Sequence, residues 1–573
     1  MHRPAHITGS NPAHQQGAAL LIFFVVLILA GSAFLLTHTP PESGRVQSEN
    51  RTSEALAAAK QALLAYAVSY YSRDEEPGRH GILPCPERST GYNGDGNSSN
   101  QCGSRDTNSI GRLPWRHLQI PPPHDGAGEC LWYALSGGFY NNPASLMTNQ
   151  DTPGMFELVD ASGNLLAGNT PEDRVVAVVI APGLPLAGQN RSSAQNANLP
   201  CKQAGNLIDS ADYLDSFLGI NNAVVSDGDS DAAKDQVDSF ITATGLGNNS
   251  NLNDRIITIT AAEIFDAIKK RPALYDEKIG ELGLALGQCL IDYARVAAVA
   301  INSPGGGPPG GPPGGPGGGG GLQACYSDCN AARTLCLQTG ASNRDCNQAR
   351  QDCRRGCRNG GGGGGGGGTV DDDYRLPWPA PVDLESDYRD DDHYIGLGDD
   401  SEGYFGRLPY DISATSDIIG IDLDAGTPDT LFSECELDTA NPELFTLWQH
   451  WKDHWFYVLG NHFEPQLNNT PNNICNNNNA CPQVNNVRYA AILIFSGERI
   501  NNQLRRTIET EDPGPPLAQS KANLANYLEG SNFDNYRDTN GDGDYGVYDG
   551  VNPHNDRLFC INSAVNSVTE CTP

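Results

Sequence analysis

The sequence predicts an α+β protein in which an N-terminal apolar helix leads into two tandem copies of one α+β unit, the second interrupted by a small disulfide-bonded helical hairpin. Three observations predict it. Short segments recur in the same order in the two halves, an uncharged apolar run occupies residues 18–36, and six cysteines stand with mirror-symmetric spacing between two glycine-rich stretches.

Length and charge narrow the functions that fit. The 573 residues suffice for two or three domains, and a charged fraction of 18% with 65 glycines and 38 prolines favours loop-rich units. A formal net charge of −32 argues against a nucleic-acid partner or an anionic lipid surface, since both require clustered Lys and Arg. Cation binding suits it better.

The chain opens with a polar leader, residues 1–17, followed by a predicted transmembrane helix over 18–38. The run from Ala18 to Leu36 spans about 28 Å as a helix, enough to cross a bilayer core. After Pro40 and Pro41 the helical pattern resumes, with Leu56, Leu63, Ala67 and Tyr70 on one face.

A polar leader ending in Gly17, an apolar helix beginning at Ala18 and a helical continuation into a globular head resemble a type IV prepilin or type II secretion pseudopilin. The resemblance implies cleavage between Gly17 and Ala18, methylation of the new terminus, an inner-membrane single-pass precursor with periplasmic heads, and assembly with other pilin or pseudopilin subunits. Most members carry a glutamate five residues after the scissile glycine, where it offsets a neighbour's free amino terminus. Here that position is Ile22, so the resemblance is to the minor subunits that sit at a filament tip, in a pilus or a secretion system.

The repeated segments define the two units. "QALLAYA" at 61–67 returns as "QCLIDYA" at 288–294, "GILPCPE" at 81–87 as "YRLPWPA" at 374–380, and "GRLPW" at 111–115 as "GRLPY" at 406–410. "LWYALSGGFYN" is echoed by "WFYVLGNHFEP", the strand from Arg174 by that from Arg488, "ADYLD" at 211 by "ANYLE" at 525, and "LNDRIITI" by "HNDRLFCI". These place a first pilin-like domain at 45–274 and a second at 275–573.

The spacing from the helix motif to the LPxP motif is longer in the second copy by 66 residues, which is the length of Ser303–Gly368. That segment is therefore an insertion: a Gly/Pro-rich linker at 303–324, the cysteine module at 325–357 and a poly-Gly linker at 358–368. Cys325, Cys329 and Cys336 share one helix face and Cys346, Cys353 and Cys357 another. Two antiparallel helices then pair Cys336–Cys346, Cys329–Cys353 and Cys325–Cys357, a ladder that resembles an α-hairpinin, although six cysteines allow other connectivities and metal binding competes. A tethered knob of this kind suits contact with a surface or a secreted-protein ligand, and a passive spacer fits it equally well. Among the other cysteines, Cys475 with Cys481 and Cys560 with Cys571 could each close a small loop, pointing to an oxidising compartment.

Each copy carries an acidic loop after its "YLD" or "YLE" segment. In "DTNGDGDYGVYD", Asp538, Asn540 and Asp542 occupy positions 1, 3 and 5 of a calcium loop, Gly543 the turn, Asp544 position 7 and Asp549 position 12. In "DGDSDAAKDQVD", Asp227, Asp229, Asp231, Asp235 and Asp238 take positions 1, 3, 5, 9 and 12, with Ala232 where the turn glycine belongs. Calcium is the expected cofactor.

Catalytic signatures are missing. His450 and His454 in "LWQHWKDHWFYVL" have i, i+4 spacing but no HExxH glutamate, and an aromatic core helix explains the segment more simply. No nucleophile elbow, P-loop or dinucleotide fingerprint occurs. The expected function is structural, with an anchored calcium-binding periplasmic or surface protein outside any filament as the alternative.

Overall fold

The computed structural model describes residues 41–301 and 374–571, apart from 72–77, 88–95, 100–101, 103–106, 141–146, 171–172, 192–200, 202–209, 226–236, 244–250, 385–387, 389, 397–403, 420, 422, 424–428, 466–474, 476–480, 501–502, 506–520, 537–543 and 546–554. The leader, the apolar run and the whole insert at 303–368 thus lie outside the described residues. What is described is mixed α+β, built on two seven-stranded sheets and a two-stranded ribbon.

Helix α1 is described over Pro41–Tyr70. Leu56, Leu63, Ala67 and Tyr70 are all buried, at helical spacing, over the strands β5 and β9 introduced next.

The first sheet contains β1 (Ser109–Arg112), β2 (Trp132–Leu135), β3 (Phe156–Asp160), β4 (Leu165–Ala167), β5 (Val175–Ala181), β8 (Asp238–Thr242) and β9 (Arg255–Thr260), while β6 (Ser216–Phe217) and β7 (Ile220–Asn221) form the ribbon. A capping box at Thr260 and Glu263 then starts α2, Ala261–Lys269. Helix α3, Asp276–Ile301, leads into the second sheet: β10 (Phe405–Arg407), β11 (Trp455–Leu459), β12 (Gln483–Val484), β13 (Val487–Phe495), β14 (Asp544–Tyr545), β15 (Arg557–Asn562) and β16 (Val568–Glu570). Between them lie α4 (Ser413–Ile419), α5 (Leu437–Ala440) and α6 (Pro442–Trp451), with α7 (Gly530–Asn535) later.

The sheets share a core of four antiparallel strands in one order. β1, β2, β5 and β9 pair as β10, β11, β13 and β15 do. Register agrees residue by residue: Gly111 faces Tyr133 as Gly406 faces Tyr457, and Ile180 faces Ile256 as Ile494 faces Leu558. Each long central strand bulges at its start, between Val175 and Ala177 and between Tyr489 and Ala491. The extra residue turns Val176 with Ala177, and Ala490 with Ala491, to the helix side, so both strands keep an apolar run on two faces. The LPxP segments add matching bridges, Glu87 to Arg112 and Ala380 to Arg407.

α3 packs on β13, β15 and β16 as α1 packs on β5 and β9. The segment Pro272–Val299 is, among the described residues, the one long and apolar enough to cross a membrane, yet 61% of its most apolar stretch is buried in this core. The helix-side faces of the two sheets merge into one hydrophobic cluster that includes Leu63, Val179, Leu286, Trp451 and Leu493.

Candidate functional site

The repeated motifs converge on the same arrangement in each half. On the sheet face opposite α1, Arg112 of "GRLPW" lies 4.4 Å from the Trp132 ring and 4.3 Å from Tyr213, and Arg191 lies 4.9 Å from the same tyrosine. Arg191 Nε donates to Asp212 O at 3.0 Å, Nη1 to Gly183 O at 2.7 Å, and Nη2 to Gln189 Oε1 at 2.6 Å and Tyr213 O at 2.8 Å. In the second half Arg407 lies 4.8 Å from Phe456 and 5.1 Å from Tyr527, and Arg505 covers Tyr527 at 4.9 Å. Arg505 bonds Asn526 O, Gly497 O, Gln503 Oε1 and Tyr527 O, position for position. A planar fork of five donors can satisfy four acceptors on three chain segments at once, which lysine cannot.

Beside each arginine is a pair of carboxylates that tie two turns to one another. Asp215 Oδ2 accepts from the backbone N–H of Asn253 and Asp254 at 2.6 and 3.0 Å, while Asp254 Oδ2 accepts from Asp215 N at 2.7 Å and Asn222 Nδ2 at 2.8 Å. Glu529 and Asp556 repeat the pattern, with Asn555 N at 3.4 Å, Glu529 N at 3.4 Å and Asn532 Nδ2 at 2.8 Å. Burial raises Asp254 well above the ordinary carboxylate range and the adjacent Asp215 raises it further; Asp556 is raised by burial and by Glu529 in the same way. Asp254 Oδ1 and Asp556 Oδ1 are each buried without a hydrogen-bond partner. These pairs stand at the feet of the two acidic loops, since Asn222 precedes the first and Asn532 the second.

A third polar cluster joins the halves. Thr148 N donates to His450 Nδ1 at 2.8 Å, Asn149 Nδ2 donates to His450 O and to Asp453 Oδ1 at 3.0 Å each, and Gln150 Nε2 donates to Gly497 O at 3.0 Å. Asp151 follows, its carboxylate 3.0 Å from His454 Nε2, 3.5 Å from Arg499 Nε and 3.8 Å from Arg505 Nη1. Burial works to raise Asp151, but His454, Arg505 and Lys521 outweigh it and hold the carboxyl below its usual range. Asp453 behaves alike: burial opposes ionisation, and Lys521, His454 and Arg407 overcome it. Lys521 is ion-paired with Asp453.

The sequence-derived site residues are placed unevenly. Gly17, Ala18 and all six cysteines of the insert lie outside the described residues, as do Asp227, Asp229, Asp231, Asp235, Asp538, Asn540, Asp542 and Asp549. Asp238 opens β8, where its Oδ2 accepts from Asn108 Nδ2 at 2.8 Å, and Asp544 opens β14 in parallel register with Gln483. Cys475 bonds Cys481 and Cys560 bonds Cys571, and three further bridges join Cys85–Cys102, Cys130–Cys201 and Cys289–Cys435. His124 lies beside Cys130 and Cys201, but that disulfide consumes both sulfurs as metal ligands.

His450 and His454 do not converge on a metal. The helix ends at Trp451, a 3-10 turn carries His454, and "WFYVL" is strand β11 rather than a continued helix. His450 is held neutral by burial, with Arg79, His80 and Lys452 adding to that, so its Nδ1 is free to accept from Thr148. His454 Nδ1 faces Ser496 O at 2.9 Å and its Nε2 faces Asp151.

Sequence reading missed the four arginines, the carboxylate pairs and Asp151. The signal for most was present, because Arg112 and Arg407 sit in GRLP, Asp215 and Glu529 end YLD and YLE, and Asp254 and Asp556 sit in the repeated "NDR". Asp151 has no repeated partner and carries no such signal. No family profile, curated protein or solved structure matches the chain.

Proposed function

We propose that the chain is a structural, non-enzymatic minor subunit of the type IV pilin or type II secretion pseudopilin kind, with two tandem pilin-like heads on one membrane helix. The observation that carries the reading is a coincidence of position. The leader and apolar helix stand directly before the one long helix that lacks an inserted module, and each long helix lies over a four-stranded core of the same register. In this reading Ala18–Leu36 packs among the helices of neighbouring subunits in the inner membrane, and Ile22 in place of the glutamate disposes the chain to the tip or to initiation. Calcium orders the two acidic loops, whose feet are already fixed by the paired carboxylates. The cysteine hairpin on its glycine tethers is presented to a surface or a secreted protein.

The test is the N-terminus of the protein from membrane and sheared fractions of cells with and without prepilin peptidase, read by mass spectrometry. A start at Ala18 that depends on the peptidase supports the filament reading. An intact leader in both strains overturns it and leaves an anchored, calcium-binding surface protein.

A further inference from the structure

We propose that Lys521 and Asp453 condense into an intramolecular isopeptide bond that covalently closes the second sheet. Among the described residues this is the lysine–acid pair sealed on both sides, at 1% and 0% side-chain exposure. Lys60–Glu263, Lys269–Glu498 and Lys278–Glu281 are open to solvent on the acid side, and Lys452–Asp391 partly so.

Two features favour the amide over a lasting ion pair. An ammonium has three donors to satisfy, and among the described residues Lys521 Nζ has one hydrogen-bond acceptor, Asp453 Oδ2, with the Tyr388 ring 5.6 Å away. A secondary amide needs one acceptor, and forming it removes two buried charges whose desolvation is costly. The carboxyl is also differentiated. Oδ1 is held by Asn149 Nδ2 at 3.0 Å, whereas Oδ2 lies against Lys521 and 3.5 Å from the Tyr527 hydroxyl.

The step balances without a co-reactant. Nζ passes one proton to Asp453 Oδ2, giving neutral amine and carboxylic acid, then attacks Cγ and forms the C–N bond; the negative charge builds on Oδ1, where Asn149 stabilises it, and a second proton passes from the nitrogen to Oδ2. The bond from Cγ to Oδ2 then breaks, and that oxygen leaves as water carrying two of the three ammonium protons. Fixing both reactants in a dry site supplies effective molarities of about 10⁵–10⁸ M and keeps out the water that would reverse the reaction.

The pair is particular to the second half. The counterpart of Asp453 in the first sheet is Glu129, which faces Arg191 at 3.5 Å, and the YLD/YLE alignment sets Leu207 opposite Lys521.

The experiment is a reduced proteolytic digest of the full-length protein purified from membranes, analysed by tandem mass spectrometry. We expect a branched peptide joining the segments around 453 and 521, one water lighter than their sum and absent from Lys521→Arg and Asp453→Ala. Recovery of both wild-type segments as linear peptides at full mass overturns the proposal. So does a water loss that maps elsewhere, for example to the Asp-Gly pairs at 227–228 and 542–543.

Discussion

Asp151→Asn removes one negative charge from the contact between the halves while keeping the shape of the side chain. The carboxylate is buried within 4 Å of His454, Arg499 and Arg505, and stripping one partner from a buried ionic group costs about 3–5 kcal/mol. Only the His454 contact is as close as 3.0 Å, the arginines stand at 3.5 and 3.8 Å, and none of the three is an aligned hydrogen bond, so the lower end, about 3 kcal/mol, is expected. For units of this size that corresponds to a loss of about 6–12 °C in midpoint.

The assay is urea unfolding followed by tryptophan fluorescence, since Trp451 and Trp455 flank the cluster. The pH dependence fixes the cause. Asp151 titrates below its unfolded value of about 3.9, so its contribution is complete above about pH 5 and disappears as pH falls through the folded value. The difference between wild type and Asp151→Asn should therefore hold from pH 5 to 8 and shrink on acidification. A difference under about 0.5 kcal/mol at pH 7, or one unchanged at low pH, refutes the reasoning.

Asp254→Asn has the opposite sign: a carboxyl whose folded value is raised loses stability as pH climbs through it, so the amide should stabilise the calcium-free protein at pH 7 by about 1–3 kcal/mol, with the gain vanishing near pH 4 in thermal melts. Arg505→Lys forfeits a fork that reaches four acceptors and should cost about 2–4 kcal/mol in urea unfolding. Gly406→Ala puts a methyl 2.1 Å from Ala380 O and Gly111→Ala one 2.2 Å from Glu87 O, so each should detach its LPxP segment, costing about 2–4 kcal/mol and exposing that segment to hydrogen exchange. Calcium at a hundred times its dissociation constant should add about 2.7 kcal/mol of stability, reversed by chelator and diminished in Asp542→Ala, as read by calorimetry.

The fold class and the positions of its main elements could be read from the sequence because the constraints were local and repeated. "VVAVVIA" is uniformly apolar and rich in β-branched residues, "AAILIF" continues the same apolar run in the second half, both as central strands require, and "QALLAYA" and "QCLIDYA" carry a helical stripe. "LWQHWKDHWFYVL" misled for the converse reason: aromatic residues fit helix and strand alike, and the switch at Trp451 is decided by pairing of β11 with β13, a tertiary contact. The arginine clusters were hidden because their acceptors, main-chain carbonyls and one glutamine side chain, come from three separate segments that no spacing rule joins. Disulfides between distant cysteines, such as Cys289 with Cys435 across 146 residues, were equally beyond local pattern.

What the two halves keep and what they change follow different physical demands. The Arg–Tyr–Arg stack, the carboxylate pairs and the central bulge are kept because each satisfies buried backbone groups that any copy must satisfy. The residues just before the second core strand are free to differ, and there the halves part: Cys130 is tied to Cys201, whereas its counterpart His454 receives Asp151 from the other half. A unit that closes this position with its own disulfide needs no charge partner there, while one that leaves it polar and buried requires a partner carboxylate. At this position the second half is completed by the first, and the segment Thr148–Asp151 adds a polar, charged contact to the apolar core the halves already share.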